Sequence, residues 1–259
     1  LSKRNTEKKR HFDKRTYSGH FLELLDRIGF LELVPYGVVL LIIAGLLLLQ
    51  PHLSATILIL AIGASILFAA GIRLGWFVAG GALMTAALWL VINTTDYMAD
   101  RIAIWQNPWT DTQGDGYQIV QSLYAIGSGG LLGLGLGNSR QKFLYLPELQ
   151  NDYVFPIVCE ELGFIGAAMI LLLFALLIIR GYWLALHARD RFGALLIVGI
   201  TTQVAVQVLL NIGVVTNLIP PTGISLPFFS YGGTALVIQL VEMGIVLSVS
   251  RQIPAPKAG

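Results

Sequence analysis

Cysteine occurs once in the 259 residues, at Cys159, and the four histidines form no cluster with it or with each other. A disulfide framework is thereby excluded, and so is a cysteine- or histidine-built zinc site. Charge is also scarce. Asp, Glu, Lys and Arg make up 12% of the chain, about half of the roughly 25% found in an ordinary soluble domain. With 55% hydrophobic residues, the composition points to lipid as the surrounding solvent. No internal repeat, low-complexity tract or soluble domain boundary interrupts the chain. A formal net charge of +2 gives no basic footprint of the kind nucleic acid needs, so no nucleic-acid partner is expected.

What the sequence does contain is long apolar runs. A helix crosses about 30 Å of hydrocarbon with about 20 residues at 1.5 Å each, and six stretches approach that length: 33–50, 54–71, 74–92, 154–179, 192–218 and 232–250. The fold expected is all-α, a polytopic transmembrane helical protein with six spans in this chain and a long extracytoplasmic loop containing short helices. Its divisions are a cytoplasmic loop and amphipathic lead-in at 1–32, three spans within 33–92, the large loop at 93–153, three more spans within 154–250, and a cytoplasmic tail at 251–259. Basic residues mark the inner side of a membrane. With both ends of the chain cytoplasmic, fourteen of the seventeen Lys and Arg fall inside, leaving Arg101, Arg140 and Lys142 outside among six carboxylates. A membrane with both ends of the chain on its cytoplasmic side is the expected location.

The connection from about Asn93 to Asp152 is long enough to be a working element rather than a linker. Tyr117 to Ile126 reads as an amphipathic helix with Ile119, Leu123 and Ile126 on one face. The glycine-rich run Gly127-Ser128-Gly129-Gly130-Leu131-Leu132-Gly133-Leu134-Gly135-Leu136-Gly137 follows. It lacks both Walker spacing and a preceding strand, so a nucleotide site is rejected. Being too apolar for a flexible linker, it is expected to re-enter the interface, where non-helical backbone must line a polar cavity or be covered by protein.

Three blocks resemble one family. The first runs from Asn107-Pro108-Trp109 through Tyr117-Gln118-Ile119-Val120-Gln121-Ser122 to Gly129-Gly130. The second holds Gly133-Leu134-Gly135-Leu136-Gly137-Asn138-Ser139-Arg140-Gln141-Lys142, Leu146-Pro147-Glu148, Asn151-Asp152-Tyr153-Val154-Phe155 and Glu160-Glu161-Leu162-Gly163. The third holds Asn211-Ile212-Gly213 and the run from Pro221-Thr222-Gly223 to Ser230-Tyr231-Gly232-Gly233. In order and spacing these are similar to the SEDS peptidoglycan polymerases FtsW, RodA and SpoVE, and the wording of the motifs is nearer to FtsW and SpoVE. The family has ten spans, and the six here resemble its last six. One departure stands out: where many members carry Pro-Asp-Leu-Gly-Thr, this chain has Pro51-His52-Leu53-Ser54-Ala55, which puts any role of that acid in doubt.

The resemblance implies a peptidoglycan glycosyltransferase that polymerises lipid II into glycan strands and releases undecaprenyl diphosphate. Asp152 matches the family's catalytic aspartate, and desolvation at a membrane lip would make it a better proton acceptor; the residues alone favour a helix N-cap, and the resemblance reverses that preference. A departing diphosphate needs positive charge, for which Arg101, Arg140 and Lys142 are the outer candidates, against plain pairing with loop acids or snorkelling. Gln121 and Ser230 are further substrate-binding candidates. Glu148 could modulate Asp152, join a divalent cation or pair with Lys142, and His52 is a modulator or a simple turn residue. Glu160 and Glu161 lie about 12 Å beyond Asp152 along a straight helix, where carboxylates within a span point to function by default. Adjacent residues diverge by about 100° and cannot share one cavity, so one of them is expected to form a polar lock with Gln203, Gln207 or Asn211; Glu242 has the same status. Trp105 and Trp109 suit an interfacial belt as well as sugar stacking.

Family membership also implies partners: a class B penicillin-binding transpeptidase and other divisome or elongasome membrane proteins. Two other functions compete with polymerisation: a lipid II flippase or transporter, and a non-catalytic division scaffold.

Overall fold

The computed structural model describes residues 30–50, 53–94, 96–114, 116–141 and 151–253. The described residues form helices: α1 Phe30–Leu49, α2 Leu53–Ala69, α3 Leu74–Thr94, α4 Asp96–Gln106, a 3-10 turn Pro108–Asp111, α5 Tyr117–Ser128, α6 Val154–His187, α7 Arg191–Val215 and α8 Gly233–Ser250. By length and composition α6, α7 and α8 can each cross a membrane, while α1, α2 and α3 contribute shorter apolar stretches. Their outer faces carry Leu41, Leu46, Leu83, Leu172, Leu176, Ile179 and Leu240 in the open, a pattern that suits lipid and not water. The basic stretch 1–15 and most of the predicted lead-in helix lie outside the described residues.

α7 is the most buried of the three long helices and packs against α2, α6 and α8. Its start and stop are written locally. The Asp190 carboxylate accepts from Gly193 N at 2.9 Å, satisfying a free first-turn amide. At the other end Asn217 turns left-handed (φ 57°) and Leu218 N donates to Gly213 O at 2.7 Å. Without hydrophobic drive between helices in lipid, close approach depends on small residues: Gly181 of α6 sits against the Thr201 side chain of α7, and Gly199 of α7 against Ile66 of α2. Between α7 and α8, Gln203 Nε2 donates to both carboxylate oxygens of Glu242 at 3.1 Å.

The expected fourth span extends beyond 179 to His187, with Arg180 stacked over the Trp183 ring at 4.2 Å, so its charge lies against an aromatic face rather than ending the helix. This helix is also broken. At Gly163 the backbone turns to φ 67°, ψ −171°, a region that glycine alone enters freely. The break frees the carbonyls of Glu160 and Glu161 and the amides of Phe164 and Ile165, which an unbroken helix would pair with one another.

All four are taken up by the glycine-rich run. Leu134 N donates to Glu160 O at 2.9 Å and Gly135 N to Glu161 O at 3.0 Å; Phe164 N donates to Gly130 O at 2.9 Å and Ile165 N to Leu131 O at 3.2 Å. The run is thus a strap across the break, its main chain supplying the partners that α6 lacks there while most of its own residues stay exposed. Glycine is required because the two backbones touch. A Cβ at Gly129 would collide with Cys159 O, and one at Gly133 with Glu161 O.

α5 matches the predicted helix, but its buried face is Ile119, Val120, Ser122 and Ala125, with Leu123 only half-buried. The rotation has a polar cause: Ser122 is fully buried because its hydroxyl donates to Val215 O at the end of α7, 2.8 Å away.

Candidate functional site

Asp152 lies at the entrance to α6, half-buried, immediately before buried Tyr153. Its position is fixed through its main chain. Asn211, one turn from the end of α7 and 1% exposed, uses both hydrogens of one amide nitrogen, donating to Asp152 O at 2.8 Å and to Ile224 O at 2.7 Å. One side chain thereby joins the start of α6, the end of α7 and the 216–232 loop.

Other elements hold the same loop. Arg101 of α4 donates from Nη1 to Pro221 O at 3.0 Å, and the Ser54 hydroxyl of α2 donates to Thr222 O. Trp105 Nε1 donates to Asn217 O at 3.1 Å while Asn217 Nδ2 donates back to Trp105 O at 3.3 Å. Within the loop Gly223 is left-handed (φ 68°), and a side chain added there would begin 3.4 Å from Asp152 Oδ2. The aspartate's carboxylate thus faces a loop in which the Asn217, Pro221, Thr222 and Ile224 carbonyls already accept hydrogen bonds.

The electrostatics join these residues. Burial pushes the Tyr153 hydroxyl up to about 12; the Asp152 charge pushes the same way, and Arg101 opposes both. At neutral pH this phenol is therefore uncharged, and Asp152 and Arg101 act within reach of one group. Replacing Asn211 by Leu is expected to lower the thermal stability of the detergent-solubilised protein, by about 1–3 kcal/mol for each buried carbonyl it leaves unpaired. Unchanged thermal unfolding would mean that the clamp contributes nothing.

A second polar centre lies on the strap. Glu160, 1% exposed, accepts from the Ser139 hydroxyl at Oε2, from Arg140 N at Oε1 (3.0 Å) and from Gln141 N at Oε2 (3.4 Å). Glu160 is a polar lock, but not with the partners expected from sequence: Gln203 goes to Glu242, Asn211 goes to Asp152 and Ile224, and the carbonyl oxygen of Gln207 is buried without a partner. The reason is the break at Gly163, which brings the strap to Glu160 before any neighbouring helix can reach it. Glu161 diverges from Glu160, as adjacent helical positions must, and its Oε1 is buried without a partner.

The Arg140 side chain is exposed. Gln121 is half-buried on α5 beside Ser122. Ser230 accepts from Leu226 N at 2.8 Å, within its own turn. Lys142, Glu148 and His52 lie outside the described residues. Among the described residues no three His, Cys, Asp or Glu side chains gather as a metal site. Trp109 and Tyr124 are both half-exposed and pack edge to face at 5.7 Å.

Comparison with known proteins bears on this arrangement. The family model for FtsW, RodA and SpoVE, described as cell cycle protein, matches residues 27–254. The chain belongs to this family. It is 48% identical over 206 residues to stage V sporulation protein E of Bacillus subtilis, covering 80% of this chain and 56% of that protein. It is 42% identical over 238 residues to the probable peptidoglycan glycosyltransferase FtsW of Trichlorobacter lovleyi, covering 90% and 62%. Among solved structures, a chain from work on how a peptidoglycan synthase complex coordinates polymerization and crosslinking superposes with a TM-score of 0.68 at 30% identity, over 85% of this chain and 62% of that one. RodA of Thermus thermophilus gives 0.58 at 27% identity, over 92% and 64%. The higher identities to SpoVE and FtsW agree with the motifs. The chain spans 56% and 62% of the length of these two curated FtsW/RodA/SpoVE relatives.

Proposed function

We propose that this chain forms the reaction-bearing part of a membrane glycosyltransferase that polymerises lipid II, with Asp152 as the general base. In that reaction a sugar hydroxyl of one substrate loses its proton to the Asp152 carboxylate while its oxygen bonds the anomeric carbon of the other. The bond from that carbon to the diphosphate breaks, and undecaprenyl diphosphate departs with the electron pair. A positioned base contributes about 10²–10⁴-fold to such a step, and cations stabilise the leaving group. The observation that carries the reading is the Asp152 carboxylate at the mouth of a membrane helix, clamped through its backbone by Asn211 beside Tyr153, a group that Asp152 and Arg101 both influence. The names of the FtsW relatives and the synthase complex support it. On this reading the Asp152 end faces outward from the bacterial cytoplasmic membrane, both termini of the chain face inward, and a class B penicillin-binding transpeptidase is the natural partner. The deciding experiment follows labelled lipid II with the full-length protein and its partner, using Asp152→Ala as control.

Of the two described outer cations, Arg140 gives the cleaner binding test, because Glu160 holds its backbone and leaves the guanidinium exposed, whereas Arg101 also anchors Pro221. Arg140→Gln is expected to weaken lipid II binding about tenfold, the loss of one charge-assisted contact. Unchanged affinity would return Arg140 to ordinary surface charge.

A second reading, transport of the same lipid, draws on the break in α6, since interrupted helices line substrate paths in transporters. Transport by an Asp152→Asn protein that no longer polymerises would favour it.

A further inference from the structure

We infer that Glu160 is a positioning residue whose buried carboxylate sets where the Arg140 guanidinium stands at the substrate's diphosphate; the inference rests on the glycosyltransferase reading above.

The segment that carries Arg140 has no regular structure of its own. Upstream, the strap is tied to α6 by main-chain bonds at Gly130, Leu131, Leu134 and Gly135, and Asn138 bonds back into it through its amide to Gly135 O (3.2 Å) and its side chain to Leu134 O (3.2 Å). Ser139, Arg140 and Gln141 are tied to α6 through the Glu160 side chain. That one group accepts from a hydroxyl and two consecutive amides, and every contact it makes is with a donor.

A carboxylate suits this position because both of its oxygens accept and neither donates. An amide of the same shape fails at one of them. If the nitrogen of a Gln replaced Oε1 it would face Arg140 N–H; if it replaced Oε2 it would face Gln141 N–H. Only the Ser139 hydroxyl can rotate to accept instead. Glu160→Gln therefore opposes donor to donor under Arg140 or Gln141, while the four bonds across the α6 break, which are all main-chain, stay in place.

The consequence for function follows from distance. Six residues of α6, Val154 to Cys159, separate Asp152–Tyr153 from Glu160, about 9 Å of helix rise. A cation anchored at Glu160 is thus held at a set spacing from the proposed base by a single rigid element, within the span of a lipid-linked sugar diphosphate. Released from Glu160, Arg140 keeps its charge but loses its fixed place, and fixed placement is what a preorganised electrostatic contact depends on.

The test uses the full-length protein with undecaprenyl diphosphate as the binding probe and lipid II as substrate. Glu160→Gln is expected to unfold thermally close to wild type, to bind the probe about tenfold more weakly, and to raise KM for lipid II. In an Arg140→Gln background, the same Glu160→Gln change is expected to add little further loss of probe affinity, because the residue it positions is gone. Ser139→Ala, which removes one donor and leaves both amides seated, is expected to have a smaller effect. Additive losses in the double variant, or wild-type probe affinity in Glu160→Gln, would overturn the inference, and a Glu160→Gln protein that fails to fold while Ser139→Ala binds normally would assign Glu160 to the fold alone. The polymerisation reading fails separately, through an Asp152→Asn protein that still makes glycan, and that result leaves the probe-binding comparison standing.

Discussion

Asp152→Asn and Asp152→Ala abolish glycan polymerisation, a fall of at least about 10²–10⁴-fold, while the protein remains folded. The second half of that expectation comes from the geometry. Asn211 holds residue 152 through its carbonyl oxygen, so an isosteric amide leaves that clamp intact. Asn also keeps the shape that faces Gly223, where a larger residue on either side would crowd the approach. What is lost is the ability to take a proton. Labelled lipid II resolved by strand length reads the chemistry, and thermal unfolding in detergent reads the fold. Near wild-type polymer from either variant removes Asp152 from the reaction, and loss of both polymer and fold would make it structural.

Gly163→Ala is the second large effect. The backbone there occupies a region that costs a non-glycine residue about 1–3 kcal/mol. The added methyl would also meet main-chain atoms of the strap, Gly133 N and, 2.6 Å away, Leu131 O. Backbone cannot swing aside as a side chain does. The variant therefore returns residue 163 to helical angles, α6 closes its own bonds from 164 to 160 and from 165 to 161, and the strap is expelled. Hydrogen exchange should show Leu134 and Gly135 amides losing protection while Phe164 and Ile165 keep theirs, and polymerisation should fail together with the displaced Ser139–Gln141 segment. Retained protection at Leu134 and Gly135 would show that the break tolerates a side chain.

How much of this could be read from the sequence divides along physical lines. Long apolar runs announce themselves by solvent preference, so the α7 and α8 spans and the α5 helix were legible within a few residues and α6 at its start, though not at its end, which lies at His187. The glycine run was legible as non-helical backbone, because its composition suits neither a linker nor a helix. Its partner, the break in α6, was not. That Gly163 breaks α6 depends on a contact with residues thirty positions earlier, and a glycine in an apolar helix carries no such message; the one available signal was the match between alternate glycines in the strap and a glycine two positions after a pair of carboxylates. Asn211 was read as a donor to Glu160 or Glu161, but its partners are the main-chain oxygens of Asp152 and Ile224, groups which every residue possesses and which no sequence pattern distinguishes. Ser122 eluded the amphipathic reading of α5 for the same reason.

The exchanged bonds at Gly163 bear on how the chain is assembled in the bilayer. An interrupted helix entering hydrocarbon alone would bring four unpaired main-chain groups with it, each costing several kcal/mol. The bonds that bridge the break are thus made with a segment already synthesised when α6 emerges, so α6 is expected to enter the bilayer unbroken and to exchange partners with the strap afterwards. On that expectation a chain halted before the exchange holds a straight α6.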